Sequence, residues 1–137
     1  MMRRKTFIAQ TAAVCLCLGA LFLVACGGDV VEDKAAEAAK GYYDSLVEGR
    51  YADYVNGFSN AEGLPPSYVE QLVVNAKQFM AQQKEEHGGI REVRTVSSRT
   101  DSVQGRTDVF LLFCYADSTQ EEVVVPMVEH NGVWMMK

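Results

Sequence analysis

Residues 107–116, TDVFLLFCYA, are apolar at odd and even positions alike apart from the first two. Side chains along a strand alternate between two faces. A strand apolar on both is expected in the middle of a sheet, covered on both sides. The period of two continues on either flank. Upstream, IREVRTVSS from Ile90 sets Val93 against Glu92 and Arg94. Downstream, EEVVVPMVEH reads as a third strand. Pro126 cannot donate a ladder hydrogen bond, so it must sit at a bulge or an edge. EHNGVWMMK is a hairpin signal, because Asn131-Gly132 suits a type I′ turn. In its short last strand, Trp134 is expected in the core, with Val133 and Met135 on the opposite face.

Before Ile90 the period is helical. From about Val31 to Glu48, Ala35, Ala39, Tyr42 and Leu46 recur at spacings of four, three and four, with Ala38, Tyr43 and Val47 beside them. Glu32 and Asp33 suit the positive end of this helix and Gly49 its C-terminal cap. A short helix, RYADYVNGF, presents Tyr51, Tyr54, Val55 and Phe58 on one side. A third helix is expected to start at a capping box, Ser67 with Glu70, and to stop at Gly88 and Gly89. Its apolar face is Val69, Leu72, Val73, Ala76, Phe79 and Met80. Helices first and strands after make an α+β domain.

The start of the chain has another character. Arg3, Arg4 and Lys5 precede AAVCLCLGALFLVA, residues 12–25, which is shorter than the about 20 apolar residues a membrane-spanning helix needs. A basic start, a short apolar run and small residues at its end describe a secretory signal. Leu23, Val24, Ala25 and Cys26 then resemble the lipobox of bacterial lipoproteins. In that family the cysteine thiol takes a diacylglycerol, the preceding bond is cut and the new amine is acylated. The expected division is residues 1–25 as cleaved signal, 26–30 as lipidated tether and 31–137 as the domain. The resemblance implies export and anchoring in the cell envelope, at the outer membrane, with the lipid bilayer as a partner. Two or more acyl chains hold stably where one does not.

Cleavage before Cys26 would take 25 of the 137 residues, leaving 112, enough for one small domain. It would also take three of the 13 basic residues and none of the 18 acidic ones, leaving a net charge of −8. No basic block remains, so nucleic-acid binding is not expected. Of four cysteines only Cys114 is left to the domain, which makes an internal disulfide impossible and a buried, inert thiol the expectation.

The order of elements, closing on VEHNGVWMMK, resembles the nuclear transport factor 2-like (cystatin-like) fold, in which N-terminal helices pack on a curved antiparallel sheet of about four strands to form a cone. YYDSLVEGRYADYVNGF, GRTDVFLLFCY and VVVPMVEHNGVWMMK, joined to the lipobox, look more narrowly like the lipoprotein family built on domain of unknown function 4878. That resemblance implies a fold and a location and no known activity. Isomerase- and cyclase-like enzymes of the fold place an Asp or His base in the pocket with a Tyr or acid nearby. The corresponding candidates here are Asp44, Asp53 and Asp108, with Tyr42, Tyr54, Tyr68 and Tyr115 as donors. None stands out from an ordinary cap, strand-start or core position.

His87 falls in the last turn of the third helix and His130 beside the Asn-Gly turn, with no second ligand at metal spacing. No phosphate loop or nucleophile elbow is present, and no cofactor is expected. Tyr42, Tyr54, Phe58, Tyr68, Phe79 and Trp134 could line a pocket, although aromatics at such spacing are more often core. The expectation is a non-catalytic module for a small apolar ligand or an envelope protein, with an isomerase- or cyclase-like enzyme as the alternative. Oligomeric state is left open, a dimer included. Replacing Cys26 with Ser should abolish incorporation of a clickable fatty acid and release the protein from the membrane fraction. A labelled, membrane-bound variant would overturn the lipobox assignment.

Overall fold

The computed structural model describes Asp33–Lys137, one compact unit with its own core. The signal segment, the lipobox with Cys26 and the tether lie outside the described residues. Three helices come first: α1 (Lys34–Val47), α2 (Tyr51–Asn56) and α3 (Pro66–His87). Then follow β1 (Ile90–Asp101), β2 (Arg106–Tyr115), β3 (Gln120–His130) and β4 (Val133–Met136), an open antiparallel meander in the order β1-β2-β3-β4.

α1 seats on the sheet through small side chains. Ala35, Ala36 and Ala39 are buried, and so is Leu46 nearer its end. Asp33 caps the helix: one carboxylate oxygen accepts the Ala36 N–H at 3.0 Å and the other accepts the Ser98 hydroxyl of β1. Gly49, at φ +84°, turns the chain out of the helix as expected. After α2, Gly57 passes so near Tyr42 that a Cβ there would lie 2.5 Å from the ring. The Met136 N–H donates to the Gly57 carbonyl at 2.8 Å, and the Ser59 N–H donates to Met136 at 2.7 Å. The segment so covers the free edge of β4 with a parallel bridge at Phe58.

The expected capping box on α3 does not form. Pro66 occupies the first helical position, so Ser67 lies within the first turn and no side chain caps the helix. Proline's fixed φ and missing N–H suit that first position, which advances the start past the serine. The apolar face of α3 is also less buried than its spacing implies. Ala76 is buried, but Val69, Leu72, Val73 and Met80 are only half-buried and Phe79 is 36% exposed. The helix rests mainly on α2, and meets the sheet chiefly at β1. Gly88, at φ +78°, ends it as expected.

In β2 the inward row, Thr107, Val109, Leu111, Phe113 and Tyr115, is wholly buried. The expectation of cover on both sides fails for the outward row, where Phe110 and Leu112 are half-buried. The helices pack on the inward face, and the outward row is shielded by cross-strand neighbours such as Val124 and Pro126. In β1, Val93 points in and Glu92 and Arg94 point out, ion-paired at 3.0 Å. Register shifts next to Glu92 and Ser97 break the alternation, and Val96 is left exposed.

Pro126 resolves as an edge position. The β2–β3 ladder passes it without a shift, and its carbonyl accepts the Lys137 N–H at 2.9 Å. Its nitrogen therefore faces the side on which β4 stops. Asn131 (φ +52°) and Gly132 (φ +80°) make the expected turn. Trp134 points inward but sits half-buried at the margin, and the deep residue of β4 is Met136, paired with Met127. Cys114 is buried and unpaired on the outward row.

Beneath the sheet, aromatic rings form a run. Phe58 meets Tyr54 (5.5 Å between centroids), Tyr54 meets Tyr43 (5.4 Å), Tyr43 meets Phe113 (5.6 Å) and Phe113 meets Tyr115 (6.4 Å). His87 stacks on Tyr115 at 4.1 Å. Burial raises the Tyr43 phenol well above its ordinary range, and the neighbouring Tyr54 raises it further.

Leu111 is fully buried, so Leu111→Ala should cost about 2–5 kcal/mol in urea melts. Trp134→Ala should cost less than the about 3–5 kcal/mol typical of a fully buried Trp, because part of its surface is already wet. For Tyr43 the unfolded chain releases its phenolic proton near the ordinary value of 10.0, while the folded state holds it. The unfolded state then binds fewer protons, so stability should fall as pH rises past about 10. Urea midpoints measured across that range should drop in the native sequence and drop less steeply in Tyr43→Phe, the raised phenols of Tyr54 and Tyr115 leaving a residual slope.

Candidate functional site

Leu46, buried near the C-terminal end of α1, meets residues of the other two helices. α2 is only six residues long, about 9 Å, and cannot cover the 22 residues, about 33 Å, of α3. A groove of about 290 Å³ is left between them. Leu46 of α1, Tyr54 of α2 and Phe58 just after it form one wall, and Leu72, Asn75 and Phe79 of α3 form the other. The lining is apolar apart from the Asn75 amide and the Tyr54 hydroxyl. Burial raises the Tyr54 phenol, so it is neutral and a hydrogen-bond donor at ordinary pH.

Three of the six aromatics expected to line a pocket, Tyr54, Phe58 and Phe79, meet here. The other three are elsewhere. Tyr42 borders a separate shallow depression with Asp53 and Gly57, and its hydroxyl donates to the Trp134 carbonyl at 2.7 Å. Tyr68 is exposed on the first turns of α3, and Trp134 packs at the β4 margin. The groove also uses Leu46, Leu72 and Asn75. The two leucines read as core from their spacing, and Asn75 carried no signal beyond lying one turn from Leu72 and Phe79 on the same helix face.

None of the candidate carboxylates reaches the groove. Asp44 lies 2.6 Å from the Lys40 ammonium one turn away. Asp53 is exposed on α2. Asp108 is buried on the outward row of β2, 3.2 Å from Arg106 Nε. The remaining donor, Tyr115, donates a hydrogen bond from its hydroxyl to the Glu121 carboxylate at 2.7 Å, and burial followed by that carboxylate raises its pKa.

The sequence reading missed one polar cluster, where α3 meets the β2–β3 turn. His87 Nδ1 lies 3.0 Å from Asp117 Oδ2, and Thr119 Oγ donates to Asp117 Oδ1 at 2.5 Å. Thr119, and after it His87, holds the Asp117 carboxyl below the usual range. The Asp117 and Ala116 N–H groups donate to the carbonyls of His87 and Gly89, so the cluster ties the helix end to the turn. Residues 30 apart in sequence offered no spacing to flag it. Among the described residues no group of three or more potential metal ligands converges, and no helix is long and apolar enough to cross a membrane.

No protein-family model matches the chain, and no curated protein matches it in sequence. Among solved structures, it is similar to a protein of Campylobacter jejuni described as a candidate nuclear transport factor 2-like transpeptidase. The TM-score is 0.58 at 10% identity, over 73% of this chain and 94% of that one. At that identity the likeness speaks for the fold alone, and it agrees with the helices-then-meander order and the seating of α1 on the open sheet. The domain has the nuclear transport factor 2-like fold.

Proposed function

We propose that the domain is a non-catalytic binding module, held at the envelope membrane by acyl chains on Cys26, whose groove takes a small apolar molecule. The observation that carries this reading is the groove between α2 and α3, apolar on both walls and free of carboxylates. Its volume lies near the lower end of small-ligand sites. A few polar atoms, the Asn75 amide and the Tyr54 hydroxyl, would orient the occupant. The lipobox residues Leu23, Val24, Ala25 and Cys26 support the anchored, exported location and kinship with the domain of unknown function 4878 lipoproteins.

An isomerase- or cyclase-like enzyme would need a carboxylate facing an enclosed cavity beside a donor. Asp44 and Asp108 are spent on ion pairs and Asp53 is open to water. The neighbour's name speaks of a transpeptidase, which needs a nucleophile within reach of its substrate. The one cysteine thiol among the described residues, Cys114, is buried on the far face of the sheet.

The test uses residues 33–137 and the neutral fluorophore N-phenyl-1-naphthylamine. Binding should be saturable. Phe79→Asp, at a position already exposed, should weaken it roughly tenfold or more by setting a charge against an apolar occupant. Binding unchanged in that variant would remove the groove as the site.

A further inference from the structure

A second hollow lies on another side of α3, and we propose that it binds an organic anion with an apolar or aromatic body. It measures about 320 Å³ and shares no lining residue with the groove. Tyr51 at the start of α2, Lys77, Met80 and Lys84 of α3 and Ile90 at the start of β1 surround it, and the Gly88-Gly89 turn closes one end. Lys77 and Lys84 are seven residues apart, two helical turns or about 10 Å, so both leave the same face. Their flexible stems bring two ammonium groups to one space. The Lys77 ammonium lies 5.9 Å from the centre of the Tyr51 ring, which holds it at the wall.

A lysine on a helix surface is ordinarily just solvated. Three observations bear on this pair. First, among the described residues neither Lys77 nor Lys84 has a carboxylate within 4.0 Å, so both ammonium groups are open to an anion, and unlike the other unpaired basic residues, Lys34, Arg91, Arg99 and Lys137, the two border one hollow. Second, the two like charges flank an apolar floor, Met80 and the buried Ile90. Third, the helix end does not oppose an anion as strongly as a bare one would. The carbonyls of Gln83, Lys84 and His87 already accept N–H groups from Gly89, Gly88 and Asp117.

Two cations over an apolar floor, with one ring edge, fit a carboxylate, sulfonate or phosphate carried on an aromatic or short acyl body. The anion would bridge the ammonium groups and relieve their repulsion, while the body would cover Met80 and Ile90. This reading stands whether or not the groove is occupied.

The probe is 1-anilinonaphthalene-8-sulfonate, titrated against residues 33–137, with neutral N-phenyl-1-naphthylamine as the control. The anionic probe should bind, and added sodium chloride should weaken it but not the neutral one. In the double variant Lys77→Gln/Lys84→Gln its affinity should fall roughly tenfold or more while the neutral probe is unaffected. No binding of the anionic probe, binding insensitive to salt, or equal binding in the variant would each overturn the proposal. A thermal melt checks that the variant is folded. If it is not, the single variant Lys84→Gln and the salt series on the native sequence decide.

The source of the anion is read by competition. Displacement by octanoate without cosedimentation on phosphatidylglycerol vesicles assigns a free organic acid. Cosedimentation that the double variant loses assigns a lipid headgroup. The absence of both displacement and cosedimentation overturns the proposal.

Discussion

The contact on which the rest of the structure depends is the seating of the alanine stripe of α1 on the inward face of the sheet, above all against β1. Ala39, Val109 and Leu111 are fully buried, and Ala35 and Ala36 nearly so. Methyl side chains let the helix come close, and closeness is what brings Asp33 to Ser98 and Tyr43 to Phe113. A larger side chain at position 39 would lift the whole helix, and overpacking of this kind typically costs about 1–3 kcal/mol. The same seating fixes where α1 ends. Leu46, buried near that end, is where α2 and α3 meet α1.

That leaves α3 with a problem of coverage. It is the longest helix and has the fewest partners able to bury it, because α2 is short and the sheet already belongs to α1. Its stability near the C-terminus comes from the polar tie to the β2–β3 turn and from the Gly88 cap instead of from deep packing. Along the rest of its length, apolar side chains meet α2 imperfectly. The groove and the hollow are two sides of that one mismatch.

The switch from helical to strand period at Ile90 was legible, as were the turn at Asn131-Gly132 and the buried Cys114, because each depends on local chemistry. Misreadings came where two local signals competed or where burial depended on distant partners. Ser67 with Glu70 satisfies the capping pattern, but Pro66 starts the helix two residues earlier than a Ser67 cap would. Phe79 sits at core spacing, and only the shortness of α2 exposes it. Trp134 is on the predicted face, yet Met136, two residues on, holds the deeper place opposite Met127. Of the site, three aromatics could be picked from the sequence. Asn75, Lys77 and Lys84 could not, since nothing in a single chain distinguishes a helix flank facing water from one facing a hollow.

The polar groups of the domain divide in a way that bears on what it can do. On the α1 and sheet side they are committed: Asp33 to Ser98 and the helix cap, Asp44 to Lys40, Asp108 to Arg106, Tyr42 to Trp134, Tyr115 to Glu121. A catalytic carboxylate recruited from that set would have to give up a structural bond before it could take a proton. Around α3 the ledger differs: among the described residues Lys77 and Lys84 have no carboxylate within 4.0 Å, while Asn75 Oδ1 accepts from the Gln71 amide at 3.0 Å on the same helix. The element with incomplete apolar cover is also the one with polar groups to spare. A ligand there would gain burial that the fold itself did not supply and would complete the packing of the least supported helix. Binding at α3 should therefore stabilise the folded state in proportion to occupancy, as any ligand specific for the native form does.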